Sequence, residues 1–460
     1  MIHSSILHDE QSNRFVHWLK HRSSTQLIAL SFASMILIGA FCLALPIAHA
    51  EGSWVSPLHA LFTATSAVCV TGLAVADTGS DFSRFGQVVL MLLIQVGGFG
   101  VITVGMLVAM AGGRRLGFRE RLDLQTQINS PDVGGVERLI FKMLLLVLGI
   151  ELAGALLLYV RLYDPNRPGV SFFEALFHSI SAFNNAGFAL YSDSLSQFVG
   201  DPAVNFVIIM LILLGGLGFI VLLDLLRRVW PRQRIPLSLH TQMALWASGI
   251  LLIAALLVVL LFEWSNPSTL GTLPWYQRLL AALFQAVTPR TAGFNTLDYS
   301  AMRGGTQVFT ILLMFIGGNP GSTAGGIKTV TLFVIAGSAW SLSRGHREVI
   351  FFGRRLSQEL IIRAFVITFF SVMVSGAALT LLTLTEPNLD IFALIFETIS
   401  AISTAGLSVG ITGELSAVGK LIIIGLMYLG RLGTLTIALA FIEKRAAPGI
   451  RYPSEDVLIG

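Results

Sequence analysis

The sequence predicts an all-α membrane protein: four parallel repeats of span, re-entrant pore helix and span, giving eight transmembrane helices and four pore helices around a pseudo-fourfold pore. Composition is the first reason. The 460 residues are 54% hydrophobic and 12% charged, with a mean hydropathy of +0.77, and long apolar stretches so poor in charge read as membrane spans. An internal repeat is the second. Ser66-Ala67-Val68-Cys69-Val70-Thr71-Gly72-Leu73 returns in altered form as Ser181-Ala182-Phe183-Asn184-Asn185-Ala186-Gly187-Phe188, Val287-Thr288-Pro289-Arg290-Thr291-Ala292-Gly293-Phe294 and Ser400-Ala401-Ile402-Ser403-Thr404-Ala405-Gly406-Leu407. The glycines lie 115, 106 and 113 residues apart, and a recurring period is the mark of a repeat architecture. Charge placement is the third. Of 30 Lys and Arg, 21 fall in the tails and inter-repeat loops, Arg114, Arg115, Arg119, Arg121, Arg227, Arg228, Arg232, Arg234, Arg344, Arg347, Arg354 and Arg355 most clearly. Basic loops stay on the cytoplasmic side, so both termini are expected there and the repeats are parallel rather than inverted.

In chain order, a cytoplasmic tail (1–24) precedes repeat one (25–115), with segments at about 26–48, 56–68 and 85–111. Repeat two (116–230) uses about 138–162, 171–183 and 203–226; repeat three (231–345) uses about 240–262, 275–288 and 305–340. Repeat four (346–445) uses about 360–385, 390–402 and 417–442, before a C-terminal tail (446–460). The first 22 residues carry charge without a cleavable apolar core, so the opening run is expected to remain as a span. Ser56-Pro57, Ser171, Pro274 and Asp390 supply helix-entry chemistry for the pore helices. Phe62, Phe177, Leu283 and Phe396 stand ten positions before the four glycines.

A half-helix aimed at the axis presents partial negative charge at its C-terminal end, which favours a cation. The glycine segment beyond it leaves carbonyls unpaired, which a membrane tolerates only inside protein or along a wet cavity. Rings of such carbonyls can replace the water shell of a monovalent cation. The closing spans add a second register: Gly97-Gly98-Phe99-Gly100, Gly215-Gly216-Leu217-Gly218, Gly317-Gly318-Asn319-Pro320 and Gly430-Arg431-Leu432-Gly433 begin 25, 28, 24 and 24 residues after those glycines. Glycine inside a helix costs about 1 kcal/mol relative to alanine, so close approach or kinking is expected there.

Repeat three departs most. Gly317, Gly318, Asn319, Pro320, Gly321, Ser322, Thr323, Gly325, Gly326 and Lys328 lie in a stretch, 317–329, too rich in glycine and proline to stay helical. A flexible loop inside the membrane, able to obstruct the path, is the expectation. Gly321 and Gly326 have phosphate-loop spacing, but Ile327 intervenes before Lys328 and no strand precedes, so nucleotide binding by this loop is excluded. Arg431, within a span, costs at least ~2.5–3.5 kcal/mol there and should face the interior, either in a structural ion pair or carbonyl cap, or as a fixed positive charge at the pore floor.

Arg290, next to the third glycine segment, is expected to brace the loop rather than bind an ion. Asp77, Asp81, Asp164, Glu174, Asp193, Asp201, Glu263, Asp298, Glu386, Asp390 and Glu397 gather on the outer side, as a cation-drawing mouth or as solvated loops. Two cysteines, Cys42 and Cys69, make no disulfide framework. No HExxH, GxSxG or intramembrane acidic cluster suggests an enzyme, and no soluble domain presents the basic residues to nucleic acid.

These motifs resemble the superfamily of Ktr, Trk and HKT potassium transporters from about Thr25 to the C-terminus, and most closely the KtrB-type membrane subunits of bacterial Ktr systems. About 22 polar residues precede the first span, where Trk-type relatives have two further spans. The resemblance implies a potassium filter at Val70, Thr71 and Gly72; Asn185, Ala186 and Gly187; Thr291, Ala292 and Gly293; and Thr404, Ala405 and Gly406. It further implies a gate at 317–329 with Arg431, a homodimer in the bacterial cytoplasmic membrane, and a KtrA-like nucleotide-binding ring docked on the cytosolic side. Potassium is the implied ion, with sodium as a stimulant and no organic cofactor. The rival it leaves open is a Trk-type, proton-linked potassium transporter.

Overall fold

The computed structural model describes residues 24–100, 136–166, 168–229, 236–346 and 348–433. Expectations for both tails, for Arg114, Arg115, Arg119, Arg121, Arg232, Arg234 and Arg347, and for the inner ends of the first and fourth closing spans lie outside the described residues. The fold is an all-α multi-pass membrane fold. Its helices fall into four groups: α1 (Ser24–Ala44), α2 (Pro57–Val68) and α3 (Arg84–Phe99); then α4 (Val136–Leu162), α5 (Pro168–Phe183), α6 (Pro202–Leu217) and α7 (Phe219–Val229). The third holds α8 (Leu239–Glu263), α9 (Trp275–Val287), α10 (Gly304–Phe315) and α11 (Thr329–Ser343), and the fourth α12 (Gln358–Thr385), α13 (Ile391–Ser403) and α14 (Ala417–Leu432). A two-residue hairpin, β1 (Ile350–Phe351) with β2 (Arg354–Arg355), joins the last two groups and has no counterpart in the sequence reading.

The opening helices α1, α4, α8 and α12 are long and apolar enough to cross a bilayer. Their outward faces expose Leu37, Val160, Leu261 and Leu384, an apolar surface suited to lipid rather than water. The pore helices are half that length. Phe62, Phe177, Phe284 and Phe396 are buried at matching places on them; the third is Phe284 and not the expected Leu283, because repeat three has one residue fewer between Thr288, the counterpart of Ser66, Ser181 and Ser400, and its glycine. The second pore helix starts at Pro168 rather than Ser171, whose hydroxyl instead accepts from the Asp164 N–H at 3.2 Å.

The closing spans are broken, not continuous. Helices α3, α6 and α14 stop at Gly100, Gly218 and Gly433, with φ of 86°, 95° and 83°, values that glycine adopts without steric cost. Beyond Gly218 the chain bends by 103° into α7. Repeat three has no such single break: a non-helical stretch, 316–328, separates α10 from α11.

Candidate ion-conduction site

Each pore helix hands over to a short segment, and the four segments share one backbone. Val70, Asn185, Thr291 and Thr404 have φ of 55°, 56°, 68° and 49°; two residues on, Gly72, Gly187, Gly293 and Gly406 have φ of 94°, 70°, 77° and 80°. Left-handed backbone is unfavourable for β-branched residues such as Val70, Thr291 and Thr404, so the surroundings must hold it. The N–H groups of Thr71, Ala186 and Ala405 donate to the carbonyls of Ser66, Ser181 and Ser400, each at 2.8 Å, while that of Ala292 donates to Thr288 O at 2.9 Å. Hydroxyls add to this. The Gly72 N–H donates to Ser66 Oγ at 3.0 Å, Ser181 Oγ donates to Phe188 O at 2.8 Å, and Thr288 Oγ1 donates to Phe294 O. Among the described residues, no hydrogen bond reaches the carbonyls of Val70, Thr71, Asn185, Ala186, Thr291, Ala292, Thr404 or Ala405.

The four glycines close a ring. A Cβ added to Gly72 would stand 2.5 Å from Ala186 O and 3.1 Å from Gly187 Cα; one on Gly187, 2.8 Å from Gly293 Cα; one on Gly293, 3.4 Å from Gly406 Cα; one on Gly406, 3.1 Å from Gly72 Cα. Segments more than a hundred residues apart thus meet around one axis, each touching the next.

The closing-span glycines explain how the helices reach this point. A Cβ on Gly97 would overlap the Val68 carbonyl, one on Gly215 the Phe183 carbonyl, and one on Gly430 the Ile402 carbonyl. In three repeats the closing helix therefore presses onto the last turn of its own pore helix. In repeat three, Gly317 meets the carbonyl of Gly325 instead.

The stretch from Gly317 to Lys328 folds back on itself: the Gly317 N–H donates to Ile327 O at 2.9 Å and the Ile327 N–H to Phe315 O at 3.2 Å. It then leans on repeat two, with Asn319 N–H on Gly216 O at 3.0 Å, Phe219 N–H on Gly321 O at 2.9 Å, and Thr323 Oγ1 on Phe183 O at 3.1 Å. Gly325 lies against Ser403 O and Thr404 Oγ1 of repeat four. Ser322 Oγ donates to Asn319 O at 2.6 Å and Lys328 Nζ to Ala324 O at 2.6 Å, so both polar groups turn back into the stretch. Arg431 donates one guanidinium nitrogen to Thr323 O and another to Gly97 O, tying repeats four, three and one together beneath the ring. Arg290, buried, donates to Ser248 Oγ and Thr329 Oγ1, both at 3.1 Å. Asn319 Nδ2 shares Ser248 Oγ at 3.0 Å, so Arg290 braces both ends of the stretch. A cavity of about 140 Å³ lined by Gly216, Ser248, Leu252, Arg290 and Gly318 lies beside it.

The acidic residues expected on the outer side are mostly caps and braces. Asp201, Asp298 and Asp390 accept from backbone N–H groups at helix starts. Glu263, buried, accepts from Thr269, Thr306, Asn266 and the Arg303 N–H, and Glu386 accepts from Ser416. Sequence reasoning missed Glu151, buried in α4, whose carboxylate accepts from Gln95 Nε2 at 3.0 Å and from Asn184 Nδ2 at 2.9 Å. Its signal was available: it is the one acidic residue in the 138–162 run.

Comparison with known proteins matches residues 4–448 to the family model described as "TrkH: Cation transport protein". "Ktr system potassium uptake protein B" of Bacillus subtilis is 44% identical over 451 residues, covering 98% of this chain and 99% of that protein. The protein of the same name in Vibrio alginolyticus is 40% identical over 440 residues, covering 95% and 94%. "Potassium/sodium uptake protein NtpJ" of Enterococcus hirae is 35% identical over 446 residues, covering 96% and 98%. Among solved structures, the potassium transporter TrkH from Vibrio parahaemolyticus shares the fold, with a TM-score of 0.72 and 19% identity across 92% of this chain and 86% of that one.

Proposed function

The chain belongs to the TrkH family of cation transport proteins, transporters rather than enzymes, and we propose that it carries potassium into the bacterial cell through the ring of four glycine segments. The observation that carries this reading is the ring itself, with its left-handed backbone and carbonyls free of hydrogen bonds. The filter is formed by Val70, Thr71 and Gly72, Asn185, Ala186 and Gly187, Thr291, Ala292 and Gly293, and Thr404, Ala405 and Gly406. Their carbonyls take the place of water around the ion, and the C-terminal ends of the pore helices add negative potential.

Below the filter the 317–329 stretch obstructs the path, held in place by Arg431 through Thr323 O and by Arg290 through Ser248 and Thr329. Opening moves the loop aside, toward the cavity at Gly216 and Gly318. Arg431 keeps a fixed positive charge at the pore floor. The membrane potential drives the ion inward with ~2.3 kcal/mol per charge per 100 mV. Both termini lie in the cytoplasm, two copies pair as a homodimer, sodium stimulates uptake, and a KtrA-like cytosolic ring pulls on the inner helix ends to move the loop.

Rescue of a potassium-uptake-deficient cell at low potassium, with and without sodium, tests the function. Growth should depend on the gene and rise with sodium; no rescue under either condition overturns the proposal. Gly72→Ser and Gly406→Ser should weaken potassium preference, and unchanged preference in both removes those positions from the filter.

A further inference from the structure

Three residues before the serine or threonine that ends each pore helix one position recurs, and in repeats two, three and four it bonds the outer limb, the chain climbing away from the glycine. Those end residues are Ser66, Ser181, Thr288 and Ser400, so the positions are Thr63, His178, Gln285 and Glu397. All four are buried. His178 accepts the Leu190 N–H on Nε2 at 3.2 Å and donates from Nδ1 to Glu174 O at 2.7 Å. Gln285 Nε2 reaches Leu297 O at 3.5 Å. Glu397 makes the strongest connection: Oε2 accepts from Ser408 Oγ at 2.8 Å and Oε1 from Thr412 Oγ1 at 2.6 Å.

The donors around Glu397 leave little freedom. Ser408 Oγ accepts from the Gly410 N–H at 3.0 Å and gives its own proton to the carboxylate; Thr412 Oγ1, 3.0 Å away, spends its single proton on Glu397 Oε1. Ser408 stands two residues beyond Gly406, and its neighbour Leu407 is buried against Phe396 and Ala405. Thr404, two residues before Gly406, holds a left-handed backbone and its hydroxyl has no partner. Nothing from its own side chain fixes the fourth segment. Ser400 Oγ, which in the first two repeats bonds a filter or post-filter peptide group, is also unpartnered here. The fourth segment therefore lacks the hydroxyl staple of the other three and has a carboxylate brace on its outer limb instead.

The geometry points to Glu397 as a positioning residue that sets the pore's preference for potassium over smaller alkali ions by fixing the outer limb of the fourth filter segment. This rests on the filter reading above. The brace holds Ser408 and, through it, the peptide run from Leu407 to Gly410, so the Thr404 and Ala405 carbonyls keep their spacing when a smaller ion would draw them inward.

The test compares Glu397→Gln, Glu397→Ala and Thr412→Val with the parent and with Gly406→Ser, measuring potassium, rubidium and sodium uptake alongside membrane abundance of the full chain. Gln keeps the shape and one acceptor, and Thr412 can turn to donate to Ser408, so it should stay near the parent. Glu397→Ala should lower the potassium-to-sodium uptake ratio about tenfold, the size expected from losing a hydrogen bond to a charged group, with maximal rate per molecule changed far less. Thr412→Val should move the ratio the same way by a smaller factor. A purely structural residue would reduce abundance and leave the ratio untouched. If Gly406→Ser shifts the ratio while Glu397→Ala leaves it at the parent value, the brace is wrong and the filter stands; if neither shifts it, the filter reading itself falls.

Discussion

Repeats one, two and four solve one packing problem the same way, and repeat three solves a different one. In the first three the closing helix carries a glycine against the pore-helix carbonyl, Gly97 on Val68, Gly215 on Phe183 and Gly430 on Ile402, and stops three residues later at Gly100, Gly218 or Gly433. In repeat three Gly317 packs on its own loop, and the helix gives way to a stretch that crosses to repeats two and four. In three walls the closing helix is seated backbone to backbone on its own pore helix; in the fourth the glycine is seated on Gly325 of the same loop, whose contacts with repeat two are hydrogen bonds that can be exchanged, so that wall is the softer one.

The comparison breaks most sharply at the glycines. Gly215→Ala or Gly430→Ala should cost about 1–3 kcal/mol by overpacking against the pore helix, lowering both membrane abundance and uptake, whereas in Gly317→Ala the overlap falls on Gly325 of its own loop, which can shift, so abundance should fall less than uptake. Equal loss of abundance in all three would erase the distinction between rigid and soft walls. Arg431→Ala comes next. It removes two charge-assisted bonds worth about 1.5–3 kcal/mol each and should raise rubidium influx roughly tenfold in cells lacking any regulatory partner; influx equal to the parent would show that the guanidinium does not restrain the loop.

A smaller effect separates the hydroxyl anchors. Ser181→Ala should destabilise by about 1 kcal/mol, since Ser181 bonds Phe188 O, while Ser400→Ala, whose hydroxyl has no partner, should stay within about 0.5 kcal/mol; thermal unfolding in detergent distinguishes them. The smallest effect lies on the outer seam between repeats one and two. Burial pushes the Asp77 carboxyl up, but hydrogen bonds from Ser192, Ser80 and Gly79 outweigh it and hold the group below its ordinary range. Because the folded value is depressed, the stabilisation is complete above the ordinary carboxylate range and disappears as pH falls through the lower folded value. Asp77→Asn should therefore flatten a modest acid-side decline in melting temperature, and an unchanged decline would remove Asp77 as its source.

Much of this is legible in the sequence. Helix entry at Ser56, Pro274 and Asp390, the break across 317–329 and the inward orientation of Arg431 follow from local chemistry: caps, helix breakers and the cost of charge in a membrane. Three expectations differ from the structure: Ser171 has cap chemistry, yet Pro168 starts the second pore helix; Leu283 follows the ten-residue spacing, yet repeat three is one residue short; and Glu263, Glu386 and Glu397, expected as a cation-drawing mouth or solvated loops, are buried among hydroxyls supplied by distant parts of the chain.

The sequence by itself determined that the chain spans a membrane, that a single unit occurs four times, and that glycine stands at the same two places in each, because hydropathy, period and backbone freedom belong to short stretches. Only the tertiary structure decided that Gly72, Gly187, Gly293 and Gly406 touch in a ring, that Arg431 joins Thr323 to Gly97, and that Glu397 holds the limb beyond Gly406. Those outcomes depend on which carbonyls and hydroxyls arrive beside one another when helices far apart in the chain pack, and no local pattern encodes that meeting.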